Sequence, residues 1–201
     1  MSIHNEHQSS TREWHKRVDK TSYLISTSPN MIDHDFVNTS FASPDMYWAK
    51  ELPRKDLALM LEHSLTLGLY KHTGEPSSPR TPSPTLKDPE EEDATMEDWE
   101  QIGLARFATD HVSFAFLTDV FINPDHRASG LGSWLIGCCK EWMDDLPYLR
   151  RAMLMASDDV GKAYYAKAFG MADIAGEASQ HGLVCMTKIG PGSALGDGEE
   201  H

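Results

Sequence analysis

Cysteine is scarce in this chain, with three in 201 residues. Cys138 and Cys139 are adjacent and Cys185 lies far from them, which excludes both a disulfide framework and a metal-ligand spacing and leaves reduced, buried thiols. Long apolar runs are missing as well: none approaches the ~20 residues that a membrane helix needs. The polar opening MSIHNEHQSSTREWHKR has no signal-peptide core. These absences predict a soluble chain of the cytoplasm or nucleus with no membrane partner. Cations are outnumbered, 18 Lys and Arg against 31 Asp and Glu, for a net charge of -13. With no basic stripe interleaved with aromatics, nucleic acid is not expected as the main partner. The ten histidines show no H-x-x-x-H or comparable pair, so no metal site is expected.

What remains has the composition of a globular domain, 40% hydrophobic and 9% aromatic, in a length suited to one domain with tails or an insertion. Residues 1–20 and 190–201 read as flexible tails around a domain over 21–189. Within it, GEPSSPRTPSPTLKDPEEEDATMEDWE (74–100) combines dense proline with an acidic run and carries about half of the net charge, so it reads as a disordered insertion. Its Ser78-Pro79, Thr81-Pro82 and Ser83-Pro84 pairs are candidate phosphorylation sites, and an inert surface loop is the simpler alternative.

The remaining segments alternate in type. SYLIST (22–27) and LTLGLYKH (65–72) read as strands, with a helix capped by Asp33 and another, RKDLALMLEHS, after Pro53 between them. QIGLARFATD (101–110) returns from the insertion as a strand. VSFAFLTDVFI (112–122) is apolar at nearly every position and reads as a strand buried on both faces, interrupted by Asp119. A helix from Gly130 to about Met143 places Leu131, Leu135, Cys139 and Trp142 on one face. LRRAMLMAS (149–157), a helix over 161–169 closed by Gly170, and HGLVCMTKI (181–189) complete a mixed α/β order. Its first half is antiparallel and its second half is β-α-β, which is neither a doubly wound dinucleotide fold nor a barrel.

The chemistry is concentrated at NPDHRASGLG (123–132). A glycine turn at a helix start presents unpaired N–H groups and partial positive charge, a cradle for an anion, and Arg127 adds a fork of donors suited to phosphate oxygens. No Lys-Ser/Thr follows the glycines, which argues against a P-loop, and no third glycine is present for a dinucleotide fingerprint.

Arg127-Ala128-Ser129-Gly130-Leu131-Gly132 resembles the R/Q-x-x-G-x-G/A signature of the GCN5-related N-acetyltransferase superfamily. LTDVFINPDHR before it resembles that family's central strand, AYYAKAFGM (163–171) its tyrosine-bearing helix, and MYWAKELP a segment of small bacterial and fungal members. The resemblance spans about residues 22–189 without the insertion. It implies an acyl-CoA N-acyltransferase fold: a mostly antiparallel, twisted central sheet splayed at the cofactor site and flanked by about four helices. It further implies acetyl-CoA as the donor, with the amides from Arg127, Ala128, Ser129, Gly130, Leu131 and Gly132 to Ser133 on its pyrophosphate and the backbone of Val120, Phe121 and Ile122 along the pantetheine arm.

Acetyl transfer to an amine needs a base, an oxyanion stabiliser and an acid for the leaving thiolate. Asp119 is the candidate base; the alternative is an Asp that ties its strand to a neighbouring backbone or to Arg150 or Arg151. The family's Glu further up the strand has no counterpart, since Phe116 lies near that place, and His111, another carboxylate or water are substitutes. The resemblance implies the Val120 amide for the oxyanion. Tyr165 or Tyr164 is the candidate acid, although the family spacing falls on Ala166, one residue after Tyr165. Tyr47 and Trp48 are candidate acceptor-pocket residues, with core packing as the alternative. The expected function is transfer of acetyl from acetyl-CoA to a small primary amine in a ternary complex, by a monomer or homodimer. The alternatives are a protein or polyamine acetyltransferase, a non-catalytic acyl-CoA-binding module, and an interaction protein acting through a phosphorylated insertion.

Overall fold

The structure is a computed structural model and describes residues 11–74, 98–156, 159–174 and Met186. Six strands form one sheet in the order β1-β2-β3-β4-β5-β6: Glu13–Val18, Thr21–Ser26, Leu65–His72, Trp99–Thr109, Phe114–Ile122 and Arg151–Leu154. Neighbours are antiparallel except for β5 and β6, which run parallel. Four helices lie among the described residues: α1 (His34–Phe41) and α2 (Arg54–Glu62) between β2 and β3, α3 (Leu131–Asp144) between β5 and β6, and α4 (Asp159–Phe169) after β6. The antiparallel first half and the β-α-β crossover are as the sequence predicts. The strand expected over 181–189, both outer tails at 1–10 and 190–201, residues 75–97 of the insertion, and Cys185 lie outside the described residues.

Two expectations need correction at their edges. Residues 13–18, read as part of a flexible tail, form β1 and pair along their length with β2 through a turn in which Asp19 takes a φ of 55°. EWHKRV is too polar to read as a core strand because it is an edge strand, with charged residues on its exposed positions. Trp14 packs against the core, Lys16 lies 5.5 Å above the Trp134 ring, and Arg12 just before the strand pairs with Asp145 at 2.7 Å. At the other edge, β4 takes up Trp99 and Glu100, which pair with His72 and Lys71 and so belong to the sheet rather than to the insertion.

The sheet separates two clusters. On one face Ala105, Phe107, Ala115 and Leu117 meet Leu131, Leu135, Cys139 and Trp142 of α3, the stripe its periodicity predicts. On the other, Leu104 and Phe121 meet Val37, Phe41, Leu57 and Leu61 of α1 and α2. Contrary to the expectation of burial on both faces, β5 begins at an exposed Phe114 and then alternates between buried and half-buried residues. Apolar residues on the half-buried positions, Phe116 among them, made the strand look more enclosed than it is. Asp33 caps α1 as expected, accepting from the amides of Asp35 and Phe36.

Candidate active site

The corner after β5 is built by local hydrogen bonding. Asn123 accepts from the Asp125 amide and starts a short 3-10 turn, Pro124–His126, in which the Arg127 amide donates to the Pro124 carbonyl. Ala128 then takes a φ of 66° and Gly130 a φ of 74°. Gly130 is the N-cap of α3, with no side-chain cap and no acidic residue in the first turn. A Cβ at Gly130 would meet no atom within 4 Å, so its glycine serves the left-handed conformation rather than a close packing contact. Arg127 through Gly130 are exposed, and Gly132 is half-buried over the Ile122 side chain. An uncapped helix N-terminus, in the open and free of neighbouring carboxylates in its first turn, fits a phosphate group.

Arg127 is already engaged. Its Nε donates to the Ile122 carbonyl at 2.8 Å, and its Nη2 lies 2.6 Å from Oδ2 of Asp45. The guanidinium also stands 5.7 Å from the Phe121 ring centre. The side chain thus fastens the end of β5 to the 3-10 turn Pro44–Met46, and Asp45 occupies it with a carboxylate of the kind a phosphate could replace.

Upstream lies a break in the β4–β5 ladder. Leu104 pairs with Phe121 and Arg106 with Thr118, so Ala105 alone stands opposite both Asp119 and Val120. This is a β-bulge, and Asp119 carries a φ of 48° there. The bulge turns Phe121 toward α1 and α2, while Val120 and Ile122 pack on the α3 side. On its other edge β5 pairs with β6 only from Phe114 to Leu117, so Thr118 to Ile122 have no β6 partner. The pairing ends with β6 at Leu154, just before the bulge begins.

The buried Asp119 carboxylate is the most heavily bonded group of the site. Oδ2 accepts from Arg106 Nε at 2.7 Å and lies 2.6 Å from Nη2; Oδ1 accepts from Trp48 Nε1 at 3.2 Å and from the Thr118 hydroxyl at 3.1 Å. The tie foreseen as one alternative therefore exists, but its partner is Arg106 of β4. Arg150 donates to the Ser113 hydroxyl instead, and Arg151 heads β6. Arg106 is the residue the sequence reading missed. The signal was present, a single cation inside the apolar run of β4.

Trp48 is half-buried against the α1–α2 cluster, and Tyr47 meets it edge-on at 4.9 Å with an exposure of 48%. The loop that carries them is held by Asn38, which accepts from the Leu52 amide at 2.8 Å and donates to its carbonyl at 3.0 Å. The two aromatics divide their roles: Trp48 is part of the packing and bonds the bulge, and Tyr47 faces solvent. On α4, Tyr165 stacks on Phe169 with rings 5.9 Å apart and packs on the α3-side core, and Tyr164 meets it edge-on. Burial, with Tyr164 and Cys139 adding to it, pushes the Tyr165 phenol above its usual range. Tyr164 lines a groove of about 370 Å³ between α3 and α4 with Ser133, Ile136, Gly137, Lys167 and Ala168. A larger groove of about 600 Å³ opens at α2 and the start of β3, lined in part by His34, Glu62 and His111. It includes no residue of the corner or the bulge, whereas the smaller one begins at Ser133, immediately after the cradle. His111 sits in the β4–β5 hairpin, edge-on to Trp142 and at the far end of β5 from the bulge. Among the described residues there is no cluster of three His, Cys, Asp or Glu side chains able to hold a metal, and no helix long and apolar enough to cross a membrane.

A sequence profile described as the acetyltransferase (GNAT) family matches residues 65–171, from β3 to just past α4. The chain belongs to that family. A Gibberella zeae protein, named as a candidate acetyltransferase, is similar at 33% identity over 171 residues, 85% of this chain and 91% of its own. The crystal structure of a Xanthomonas campestris pv. campestris protein, described as a candidate acetyltransferase of the GNAT family, is similar with a TM-score of 0.58 and 25% identity, covering 85% of this chain and 94% of that one. The protein is thus an acetyltransferase of the GNAT type. Its mixed α/β architecture, a six-stranded sheet with four helices among the described residues, is the GNAT fold of that solved structure.

Proposed function

We propose that the protein transfers the acetyl group of acetyl-CoA to a small primary amine by direct attack in a ternary complex. The observation that carries this reading is the uncapped α3 N-terminus at Gly130, set directly after a strand that is bulged at Asp119 and Val120 and runs on past the end of its pairing with β6. The amides from Arg127 to Ser133 hold the donor's pyrophosphate. The backbone of Val120, Phe121 and Ile122, on the edge of β5 that β6 does not reach, receives the pantetheine arm, as a strand edge receives an extended ligand.

The amine nitrogen forms a bond to the acetyl carbon and the C–S bond breaks. The Val120 amide supports the developing oxyanion, a preorganised donor worth about 10²-fold or more in rate in comparable sites. Tyr165 gives its proton to the departing thiolate; burial keeps the phenol protonated at neutral pH, as an acid requires. Tyr164 borders the groove next to Ser133 and shapes the donor channel. The amine's proton leaves through water. Asp119 is a tie in this scheme, because its carboxylate already accepts three hydrogen bonds and stands in an ion pair with Arg106. Tyr47, exposed and backed by Trp48, offers an aromatic face to a cationic acceptor beside the bulge.

Calorimetry with acetyl-CoA on the wild type and on Arg127→Ala and Gly130→Asp tests the donor site, and thiol release with a panel of primary amines tests turnover. Unchanged affinity in both variants overturns the cradle. Tight binding without release in any amine favours a non-catalytic acyl-CoA-binding module.

A further inference from the structure

We propose that Arg106, Trp48 and Asp119 form a buried brace whose function is to hold the β5 bulge in the geometry that acyl transfer uses, Arg106 and Trp48 acting as positioning residues. The inference rests on the reading above, in that the group they position is the backbone at Val120.

The bulge does not follow from the strand alone. Asp119 adopts a φ of 48°, a left-handed conformation that costs an L-residue free energy and persists only where its surroundings determine it. Three elements supply that determination. Arg106 comes from β4, directly across the register shift, and grips Oδ2 with two nitrogens at 2.7 and 2.6 Å. Thr118 bonds Oδ1 from the preceding residue. Trp48 bonds the same oxygen from the loop between α1 and α2, 71 residues away in the chain. The guanidinium is itself largely enclosed, with a side-chain exposure of 14% against 7% for Asp119. Both guanidinium nitrogens converge on Oδ2, where a lysine ammonium offers a single point charge, and the orientation of the carboxylate is completed by Trp48 and Thr118 on Oδ1.

The arrangement also joins the two halves of the site. Trp48 touches Tyr47 on the acceptor side and Asp119 on the donor side, and Asp119 is bonded in the chain to Val120. A change at Trp48 is therefore transmitted to the backbone where charge develops, without Trp48 touching the reacting atoms. Displacing that amide by about 1 Å is enough to lose about 10²-fold in rate.

The test uses the full chain carrying Arg106→Lys, Asp119→Asn, Trp48→Phe, or the volume-conserving pair Arg106→Met with Asp119→Leu, which is expected to fold because it removes both buried charges together. The brace predicts a fall in kcat of about 10²-fold for Arg106→Lys and for the paired variant, with acetyl-CoA affinity within about 3-fold of wild type. It predicts a pH–rate profile of Asp119→Asn that keeps its acidic limb at a lower ceiling, because no base has been removed. Amide hydrogen exchange should speed up at residues 104–106 and 118–121 in the variants and stay unchanged in β1 and β2. Wild-type kcat in the paired variant overturns the brace, and so does loss of the acidic limb in Asp119→Asn, which makes Asp119 the base. Exchange that does not change at 118–121 overturns it whether or not any amine is turned over. Absence of turnover in the wild type with exchange altered at the bulge instead counts against the acetyl-transfer reading and leaves the brace standing.

Discussion

Arg106 and Asp119 face each other across the step in the β4–β5 ladder, 2.6 Å apart, where Ala105 stands against two residues of β5. Each is a charge withdrawn from water. The two are therefore worth most to each other and little to the fold as a pair. Asp119→Leu alone leaves an uncompensated guanidinium and should cost about 3–5 kcal/mol in urea unfolding. Adding Arg106→Met should recover most of that loss. A paired variant as unstable as the sum of the singles would contradict this.

Two glycines near the site should respond with opposite signs. A Cβ on Gly103 would lie 2.9 Å from the Phe121 carbonyl oxygen and 3.2 Å from side-chain atoms of Ile122 and Leu69. Gly103→Ala must therefore push on the backbone of β5 beside the bulge, and a loss of about 1–3 kcal/mol is expected. Gly137, exposed in the interior of α3, meets nothing within 4 Å, and Gly137→Ala should stabilise by about 0.5–1 kcal/mol through helix propensity. Thermal unfolding of the two variants checks both signs.

Asp45 and Arg127 form a pair with about half of each side chain exposed, which limits its contribution to folding to about 1 kcal/mol or less. Its consequence for ligand binding is larger, since Asp45 competes with any phosphate for the same guanidinium. Asp45→Asn should leave the melting temperature nearly unchanged and tighten acetyl-CoA binding by a few fold in calorimetry, with the gain shrinking at high salt. Weaker binding in Asp45→Asn would show that the carboxylate helps to hold the donor side together.

Most of the fold was legible because its signals are local. Asp33 as a cap, the 65–72 strand and the spacing of Leu131, Leu135, Cys139 and Trp142 follow from propensity and periodicity, and the structure realises each. The corner was legible for the same reason, since Asn123-Pro124 starts the 3-10 turn and Gly130 supplies the left-handed N-cap, whereas the left-handed Ala128 carries no such signal. The partner of Asp119 was not. It depends on which residue of β4 lies across the bulge, and the register shift at Ala105 is a tertiary event that strand periodicity does not encode. The Asp45–Arg127 and Trp48–Asp119 contacts are likewise between segments far apart in sequence. β1 was missed because an edge strand is chosen by its neighbour's open hydrogen bonds more than by its own composition.

The adjacent cysteines give the protein a predictable alkaline limit. Burial, with Glu141 adding to it, pushes the Cys138 thiol up to about 12, and burial pushes Cys139 up as well. In the unfolded chain both ionise near 9.0. Between the unfolded and folded values the unfolded state binds fewer protons, so stability falls as pH rises. Their contribution is complete below pH 9.0 and is lost progressively above it. Tyr165, raised from 10.0, adds to the same slope further up. Melting temperatures followed from about pH 8 to 10.5 should decline less steeply in Cys139→Ala, and parallel curves would contradict the burial of that thiol.

The measurement that bears most directly on the whole account is the rate at which the purified chain releases free CoA thiol from acetyl-CoA in the presence of a panel of primary amines. The account predicts steady release that depends on the amine, saturates with it, and falls sharply in Gly130→Asp. Binding of acetyl-CoA with no release above spontaneous hydrolysis for any amine would contradict it.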